Sequence, residues 1–222
     1  MTFSIIARDS TGALGMAVSS SSPAVAARCM HLRGGVGVVA SQNITDPRFG
    51  PYLLDGLADG MTPEQAVSSL RENDSTLDFR QISVLAPSGP GVTLSGKHTL
   101  GTYSSTVGID AVAAGNMLSS GVVTGAMLAE FDVAEGDLET RLIAAMLAGL
   151  KAGGEAGPVH SAGLAVVRDA GWLETDLRVD WSEDPIGDLS GLLKVWLPQR
   201  DDYVIRGKDP ASSPSYGVPG DE

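Results

Sequence analysis

The chain opens with an alternation of apolar and polar residues that begins at its second position. Phe3, Ile5 and Ala7 fall on one side of an extended segment, and the residues between them fall on the other. The turn sequence DSTG follows at residues 9–12, and residues 13–19 have the pattern of a returning strand. The pattern therefore predicts a hairpin whose first strand, residues 3–8, lies in the centre of a sheet.

Further strands and helices are predicted in blocks along the chain. Thr62, Pro63 and Gln65 provide an N-cap, a first-turn proline and a capping box, so they predict a helix that runs to about Glu72. Asp137 is a second predicted N-cap. Other strands are predicted at residues 34–42, 81–87, 91–96, 161–167 and 176–182, and residues 105–116 are predicted to form one strand or two. Other helices are predicted at residues 52–59, 119–131, 138–152 and 186–196.

The order of these blocks predicts the fold class. Neighbouring strands joined by short turns favour antiparallel pairing over the strict strand–helix alternation of a parallel sheet. The order predicts an α+β fold, namely a four-layer αββα sandwich of two antiparallel sheets with helices outside each. Residues 1–197 are expected to form this single domain, and the Pro/Gly/Ser-rich residues 198–222 are expected to form an extended C-terminal tail.

Composition and charge limit the classes of partner. The chain of 222 residues carries a formal net charge of −12, which repels nucleic-acid phosphates and anionic lipids. No apolar run approaches the roughly 20 residues that span a bilayer, and the first residues lack a secretory signal. We therefore expect a cytoplasmic protein that acts on a small molecule, with no nucleic-acid or membrane partner. The Pro/Gly-rich tail favours a homodimer or higher homo-oligomer in which the tail packs on a neighbouring subunit.

Motifs for metals and cofactors are weak. Cys29 is the single cysteine, and His31, His98 and His160 show no HxH, HExxH or i,i+4 spacing, so we expect no metal site and no cofactor. The sequence RGGVGVV lacks the GxGxxG spacing of a dinucleotide site, and no GxSxG elbow is present. A Ser-His-Asp triad stays open, because triads assemble in space.

Four stretches resemble a known family: TFSIIARDSTGALGMAVSSSS, RGGVGVVASQNITDPRFGP, AAGNMLSSG and AGGEAGPVHSAGLAVV. With the DLRVD strand and the YGVPGDE ending, they cover nearly the whole chain and resemble the bacterial family labelled domain of unknown function 1028. The order of helices and strands, with a strand that starts at residue 2, is similar to the N-terminal-nucleophile hydrolases, the fold to which that family is assigned. The resemblance implies the αββα sandwich and an amide hydrolase.

The resemblance also implies a nucleophile. In such hydrolases the first residue of the processed chain is the nucleophile. Here Thr2 would be that residue after removal of Met1. Its free α-amine, with an ordinary pKa of about 7.7–8.0, would take the proton of its hydroxyl. A basic residue near the third strand is implied as well. Arg33 is the candidate, with His31 two residues upstream. Arg33 could instead bind a substrate carboxylate, or be a solvated arginine at a strand end.

The stretch that follows residue 152 matches an acid and a serine that orient the nucleophile's amine in related enzymes. Glu155 and Ser161 are the candidates, and His160 is expected at the rim of the site. The family pattern has Asp, Arg and Gln in this stretch, where this chain has Glu155, Gly157 and His160.

Residues 114–121, AGNMLSSG, are predicted to pass from a strand through a Gly-Asn turn to the start of a helix. Free backbone N–H groups at such a place could hold an oxyanion or a carboxylate. Asn116 would add a side-chain donor. Ser119 and Ser120 are candidates for binding substrate, or they cap the helix.

Two functional hypotheses follow. The first is an amide (C–N) hydrolase acting on a small polar, anionic substrate, with Thr2, Arg33, Asn116, Glu155 and Ser161 in its catalytic site. The second is a catalytically inactive protein on the same scaffold that binds a small acid.

Overall fold

The computed structural model describes residues 1–220; residues 221–222, the end of YGVPGDE and of the predicted tail, lie outside the described residues. In chain order the strands are β1 (Thr2–Arg8), β2 (Leu14–Ser20), β3 (Met30–Arg33), β4 (Gly37–Asn43), β5 (Arg80–Leu85), β6 (Val92–Ser95), β7 (Ser104–Val107), β8 (Ala111–Asn116), β9 (Ser161–Val167) and β10 (Leu173–Val179). The helices are α1 (Ala26–Cys29), α2 (Phe49–Ala58), α3 (Pro63–Asn73), α4 (Val123–Val133), α5 (Leu138–Lys151), α6 (Pro185–Trp196) and α7 (Arg200–Lys208).

The strands form two antiparallel sheets. The large sheet has the order β10-β9-β2-β1-β8-β7, and the small sheet has the order β3-β4-β5-β6. β1 lies between β2 and β8 and pairs antiparallel with both, which confirms that the first strand is central. Its hairpin turn is fixed by Asp9, whose Oδ1 accepts the N–H groups of Thr11 and Ala13, and by Gly12 with φ of 91°.

Apolar side chains pack in three layers, which confirms the αββα sandwich. Phe3 and Ile5 on the outer face of the large sheet pack against α4, α5 and α6. Val39 and Ile82 on the outer face of the small sheet pack against α2 and α3. The third layer lies between the sheets and contains Ile6, Met16, Val18, Val38, Ala40, Leu85 and Val112. Side chains alternate along a strand, so the residues in phase with this third set also face the layer between the sheets.

Helix starts agree with the sequence pattern at one place and differ at another. α3 begins with the predicted capping box, because the Gln65 N–H donates to Thr62 Oγ1 at 3.2 Å and Gln65 Oε1 accepts the Thr62 N–H at 2.8 Å. The prediction that Ser119 or Ser120 caps the next helix is wrong. α4 begins at Val123 with Val122 at the N-cap and no side-chain cap.

The C-terminal segment folds back on its own domain. The extended tail predicted for residues 198–222 is wrong over α7, which carries acidic residues in its first turn and basic residues in its last, as the helix dipole favours. The ring of Tyr203 stacks on Trp196 at 5.2 Å between centroids, and the Arg206 guanidinium lies 4.0 Å from the centroid of Tyr216. The homo-oligomer stays a prediction.

Candidate active site

Thr2 starts the central strand and faces the layer between the sheets. It is 5% exposed, it lies opposite Asn116 of β8, and its Oγ1 is 3.5 Å from Ser20 Oγ at the end of β2. Ser20 is in phase with Met16 and Val18, so it faces the same layer. The ends of three adjacent strands therefore bring two hydroxyls and one amide together.

Met1 covers the Thr2 hydroxyl. The carbonyl oxygen of Met1 accepts hydrogen bonds from both Thr2 Oγ1 and Ser20 Oγ. Ser20 Oγ in turn accepts the N–H of Ser22 at 3.1 Å. While Met1 is present, the Thr2 nitrogen belongs to a peptide bond and cannot act as a base.

Glu155 is a buried carboxyl beside this group. It is 4% exposed, and its two oxygens lie 3.3 and 3.2 Å from the N–H of Ser21, which donates to them. Burial raises the pKa of Glu155 to about 7, against the opposing effects of the Met1 amino group and of Ser21. Glu155 therefore exchanges its proton near neutral pH, as an acid–base group in a site would.

The backbone holds Glu155 against the end of β8. Glu155 forms an isolated antiparallel bridge with Leu118. The Ser119 N–H donates to Gly154 O at 3.0 Å, and the Ala156 N–H donates to Met117 O at 2.9 Å. Two segments singled out from the sequence, 114–121 and 153–163, are thus adjacent in space.

Asn116 belongs to a buried chain of side-chain amides that links the two sheets. Its Nδ2 donates to Gln81 Oε1 at 3.1 Å, and Gln42 Nε2 donates to the same oxygen at 2.8 Å. Ser4 Oγ donates to Gln42 Oε1 at 2.8 Å, and Gln81 Nε2 donates to Ser95 Oγ at 3.0 Å. We call Ser4, Gln42, Gln81 and Asn116 the amide network.

This network leaves one acceptor unused. Asn116 is fully buried, and its Oδ1 has no hydrogen-bond partner within residues 1–220. The predicted Gly-Asn turn is wrong, because Asn116 is the last residue of β8 and the chain turns only at Met117, which has φ of 48°. Strand pairing with Thr2 positions the Asn116 backbone, and the hydrogen bond to Gln81 holds its side chain.

Ser20, Gln42 and Gln81 belong to the site but were not predicted from the sequence. Each is a polar residue in phase with core positions of its strand; Gln42, for example, follows Val38 and Ala40 at intervals of two residues. A polar side chain at a core-facing position needs a buried partner, so this pattern is a usable signal.

Ser161 faces the same layer but its hydroxyl is used elsewhere. It lies opposite Ser20 in the pairing of β9 with β2. Its Oγ donates to Ser22 O at 2.6 Å and accepts the Val25 N–H at 3.2 Å. Ser161 therefore fixes the segment that presents Ser21 to Glu155, and its hydroxyl does not bond to Thr2.

His160, Ser119 and Ser120 lie at the margin of the site. The His160 N–H donates to Ser20 O at 2.8 Å, while its ring stacks on Trp181 at 4.4 Å between centroids. Its Nδ1 lies 3.2 Å from Ser182 O. Ser119 is exposed and Ser120 is half-buried on the loop before α4.

Arg33 is not part of this group, which corrects the expectation from sequence. It lies opposite Gly37, the first residue of β4, whereas Gln42 near the other end of β4 meets Ser4. Five residues of strand separate those two positions, roughly 17 Å. Arg33 Nη2 instead forms an exposed ion pair with Asp55 at 2.8 Å. The sequence places Arg33 near a strand end but does not say which end meets Thr2.

His31 is also distant from Thr2. It lies opposite Val39 in the middle of β3, and its ring occupies the space where a Cβ on Gly50 of α2 would stand. With Arg33 it lines a separate cavity of about 380 Å³. Burial lowers the pKa of His31. Neither residue can contact a substrate bound at Thr2.

Within residues 1–220, no three His, Cys, Asp or Glu side chains cluster closely enough to hold a metal ion. In the same part of the chain, no helix combines the length and the apolar character needed to cross a membrane. Cys29 is buried, and burial raises the pKa of its thiol.

Comparisons with known proteins give one family. The model described as Family of unknown function (DUF1028) matches residues 2–189. The solved structure of protein SPO2555 from Silicibacter pomeroyi, a DUF1028 protein, is 31% identical with a TM-score of 0.82, and the match covers 87% of this chain and 88% of that chain. No curated protein matches the chain.

A second solved structure is much less similar. Anbu (ancestral beta-subunit) from Yersinia bercovieri has a TM-score of 0.41 and 12% identity, with 88% of this chain and 97% of that chain covered. A TM-score this low establishes nothing about the fold or the activity.

Proposed function

The chain belongs to the DUF1028 family of unknown function, and we propose that it is an amide (C–N) hydrolase whose nucleophile is Thr2 once Met1 has been removed. One observation carries the proposal. The Thr2 and Ser20 hydroxyls meet at the start of the central strand, and the buried Glu155 carboxyl accepts the N–H of Ser21, the residue after Ser20. A rigid strand in the middle of a six-stranded sheet is suited to hold a nucleophile and its own amine in fixed positions.

The α-amine of Thr2 supplies the base. At a pH near its ordinary pKa it takes the proton from Oγ, and Oγ attacks the carbonyl carbon of the substrate amide. The proton then passes to the leaving nitrogen, and an ester of Thr2 remains. Water attacks this ester with the same amine as base, which releases the acid and restores the Thr2 hydroxyl.

Ser20 and Glu155 act on the charges that develop during this reaction. Ser20 Oγ donates to the Met1 carbonyl oxygen, so it is positioned to donate to a substrate carbonyl oxygen in the same place. An ionised Glu155 favours the protonated form of a nearby amine, and its pKa of about 7 makes it ionised above neutral pH.

The anionic substrate expected from sequence depended on Arg33. Because Arg33 pairs with Asp55 far from Thr2, it supplies no positive charge to the site. We therefore keep a small polar substrate and remove the requirement for a negative charge.

The second hypothesis, a catalytically inactive ligand-binding protein, differs from the first in the state of Met1. Met1 occupies the Thr2 hydroxyl and leaves Thr2 without a free amine. A protein that keeps Met1 in the cell has no general base at this site, and the intact mass of untagged protein distinguishes the two cases.

The test uses the processed chain, which has Thr2 as its first residue and is released from a fusion by cleavage directly before Thr2. We expect it to release amine from members of a panel of small amides. Thr2→Ser should retain turnover, and Thr2→Ala should lose at least roughly a thousandfold, as other enzymes do when the nucleophile is removed. A chain that retains Met1 should be inactive. Equal turnover by the processed chain and by Thr2→Ala would contradict the proposal.

A further inference from the structure

Met1 stands where an acyl group of the proposed enzyme would stand. The methionyl group is joined to the Thr2 nitrogen, whereas an acyl-enzyme would carry its acyl group on Oγ of the same residue. Transfer of an acyl group between these two atoms passes through a five-membered ring. The two isomers therefore place the acyl group in the same part of the site.

The contacts of Met1 define what this part of the site accepts. The Met1 carbonyl oxygen accepts hydrogen bonds from Ser20 Oγ and Thr2 Oγ1. The end of its side chain lies against Gly157, because a Cβ built on Gly157 would stand 3.5 Å from Met1 Cε. A larger residue at position 157 would occupy the space of the methionine side chain.

The third feature is an electrostatic interaction rather than a direct contact. Glu155 accepts the N–H of Ser21, and the positive charge of the Met1 amino group acts on its carboxyl. Glu155 is two residues before Gly157 on the segment that contacts Met1. The same short segment thus presents a carboxylate to an amino group and open space to a side chain.

We propose that the substrate is a methionyl amide, or a peptide that begins with methionine, whose free α-amino group is attracted by the carboxylate of Glu155 and whose side chain lies against Gly157. This inference rests on the function proposed above, because it needs Thr2 as the nucleophile. The reaction is then removal of an amino-terminal residue with an unbranched apolar side chain.

The chemical step balances without a cofactor. Thr2 Oγ forms an ester with the methionyl carbonyl carbon, the C–N bond of the substrate breaks, and the Oγ proton reaches the leaving amine through the Thr2 α-amine. Water then cleaves the ester, so that free methionine and the Thr2 hydroxyl are regenerated.

The first experiment measures kcat/KM of the processed chain on methionine p-nitroanilide. We expect values roughly 10- to 100-fold lower for N-acetyl-methionine p-nitroanilide, because acetylation removes the positive charge that the Glu155 carboxylate attracts. Alanine p-nitroanilide should be at least roughly tenfold poorer than methionine p-nitroanilide, because its short side chain leaves the space at Gly157 unfilled.

The second experiment removes that space. Gly157 does not adopt the left-handed backbone region, so Gly157→Leu can be accommodated there without backbone strain. The variant should lose the preference for methionine over alanine p-nitroanilide by roughly tenfold. Gly191→Leu is the matched control, because a Cβ at Gly191 in α6 meets nothing within 4 Å.

The outcomes separate this inference from the proposed function. The inference is wrong if the acetylated substrate is cleaved as well as the free amine, or if Gly157→Leu keeps the methionine preference while its thermal unfolding midpoint matches that of Gly191→Leu. It is also wrong if Thr2 reacts with a β-lactone but no methionyl substrate is cleaved. If Thr2 neither reacts with the β-lactone nor supports turnover of any amide, the proposed function fails with it.

Discussion

Glu155→Gln is expected to make the protein more stable above neutral pH and to flatten the dependence of its stability on pH. Burial holds the pKa of Glu155 at about 7, compared with an ordinary value of 4.5. Between these values the folded protein binds more protons than the unfolded chain, so the free energy of unfolding falls as pH rises. The difference between a pKa of about 7 and one of 4.5 corresponds to a loss of about 3 kcal/mol in the free energy of unfolding by pH 8. Glutamine keeps an acceptor for the Ser21 N–H but carries no charge.

The assay is urea denaturation of both proteins, with Met1 in the same state, at several values from pH 4.5 to pH 8. The wild type should lose about 3 kcal/mol more than Glu155→Gln over this range, and the subtraction cancels groups common to both proteins. Glu130→Gln, at an exposed position of α4, is the control and should follow the wild type. Parallel plots of the free energy of unfolding against pH for the wild type and Glu155→Gln would show that the pKa of Glu155 is not raised in the folded protein.

Three further substitutions test the remaining contacts. Arg33→Ala should leave turnover unchanged and cost at most about 1 kcal/mol by denaturation, because its ion pair with Asp55 is exposed; a large loss of kcat/KM would return Arg33 to the site. Gln81→Ala should cost about 3 kcal/mol in the free energy of unfolding, because it leaves several buried partners unsatisfied, and an unchanged urea midpoint would argue against the amide network. Arg168→Met should lower the free energy of unfolding by about 3 kcal/mol at neutral pH, because it removes a partner 2.7 Å from the buried Glu139 carboxylate. An unchanged midpoint of thermal denaturation would mean that Arg200 alone compensates the charge of Glu139.

Most of the fold could be predicted from local sequence patterns. The alternation from residue 2 and the DSTG turn were enough to place β1 at the centre, because one face of that strand packs on helices and the other on a sheet. The capping box at Thr62 fixed the start of α3 for a similar local reason. α7 was not predicted from the sequence, because its residues are polar and partly exposed. Its position depends on aromatic rings outside the helix, such as that of Trp196.

The candidate site was harder to predict because it depends on how the two sheets pack. Thr2 and Asn116 are 114 residues apart and meet through strand pairing, and Gln81 reaches Asn116 from the other sheet. The expectation for Arg33 was wrong for the same reason. An arginine suits the chemistry, but the antiparallel pairing of β3 with β4 places Arg33 at the end of the sheet that is far from Thr2.

The proposed function depends above all on whether Thr2 is a nucleophile. The processed chain is incubated with a β-lactone, which acylates reactive hydroxyls, and its intact mass and peptide map are then measured. We expect one adduct per chain, located on Thr2, and none on Thr2→Ala or on a chain that retains Met1. An unmodified processed chain, or an equal adduct on Thr2→Ala, would mean that Thr2 is not the nucleophile.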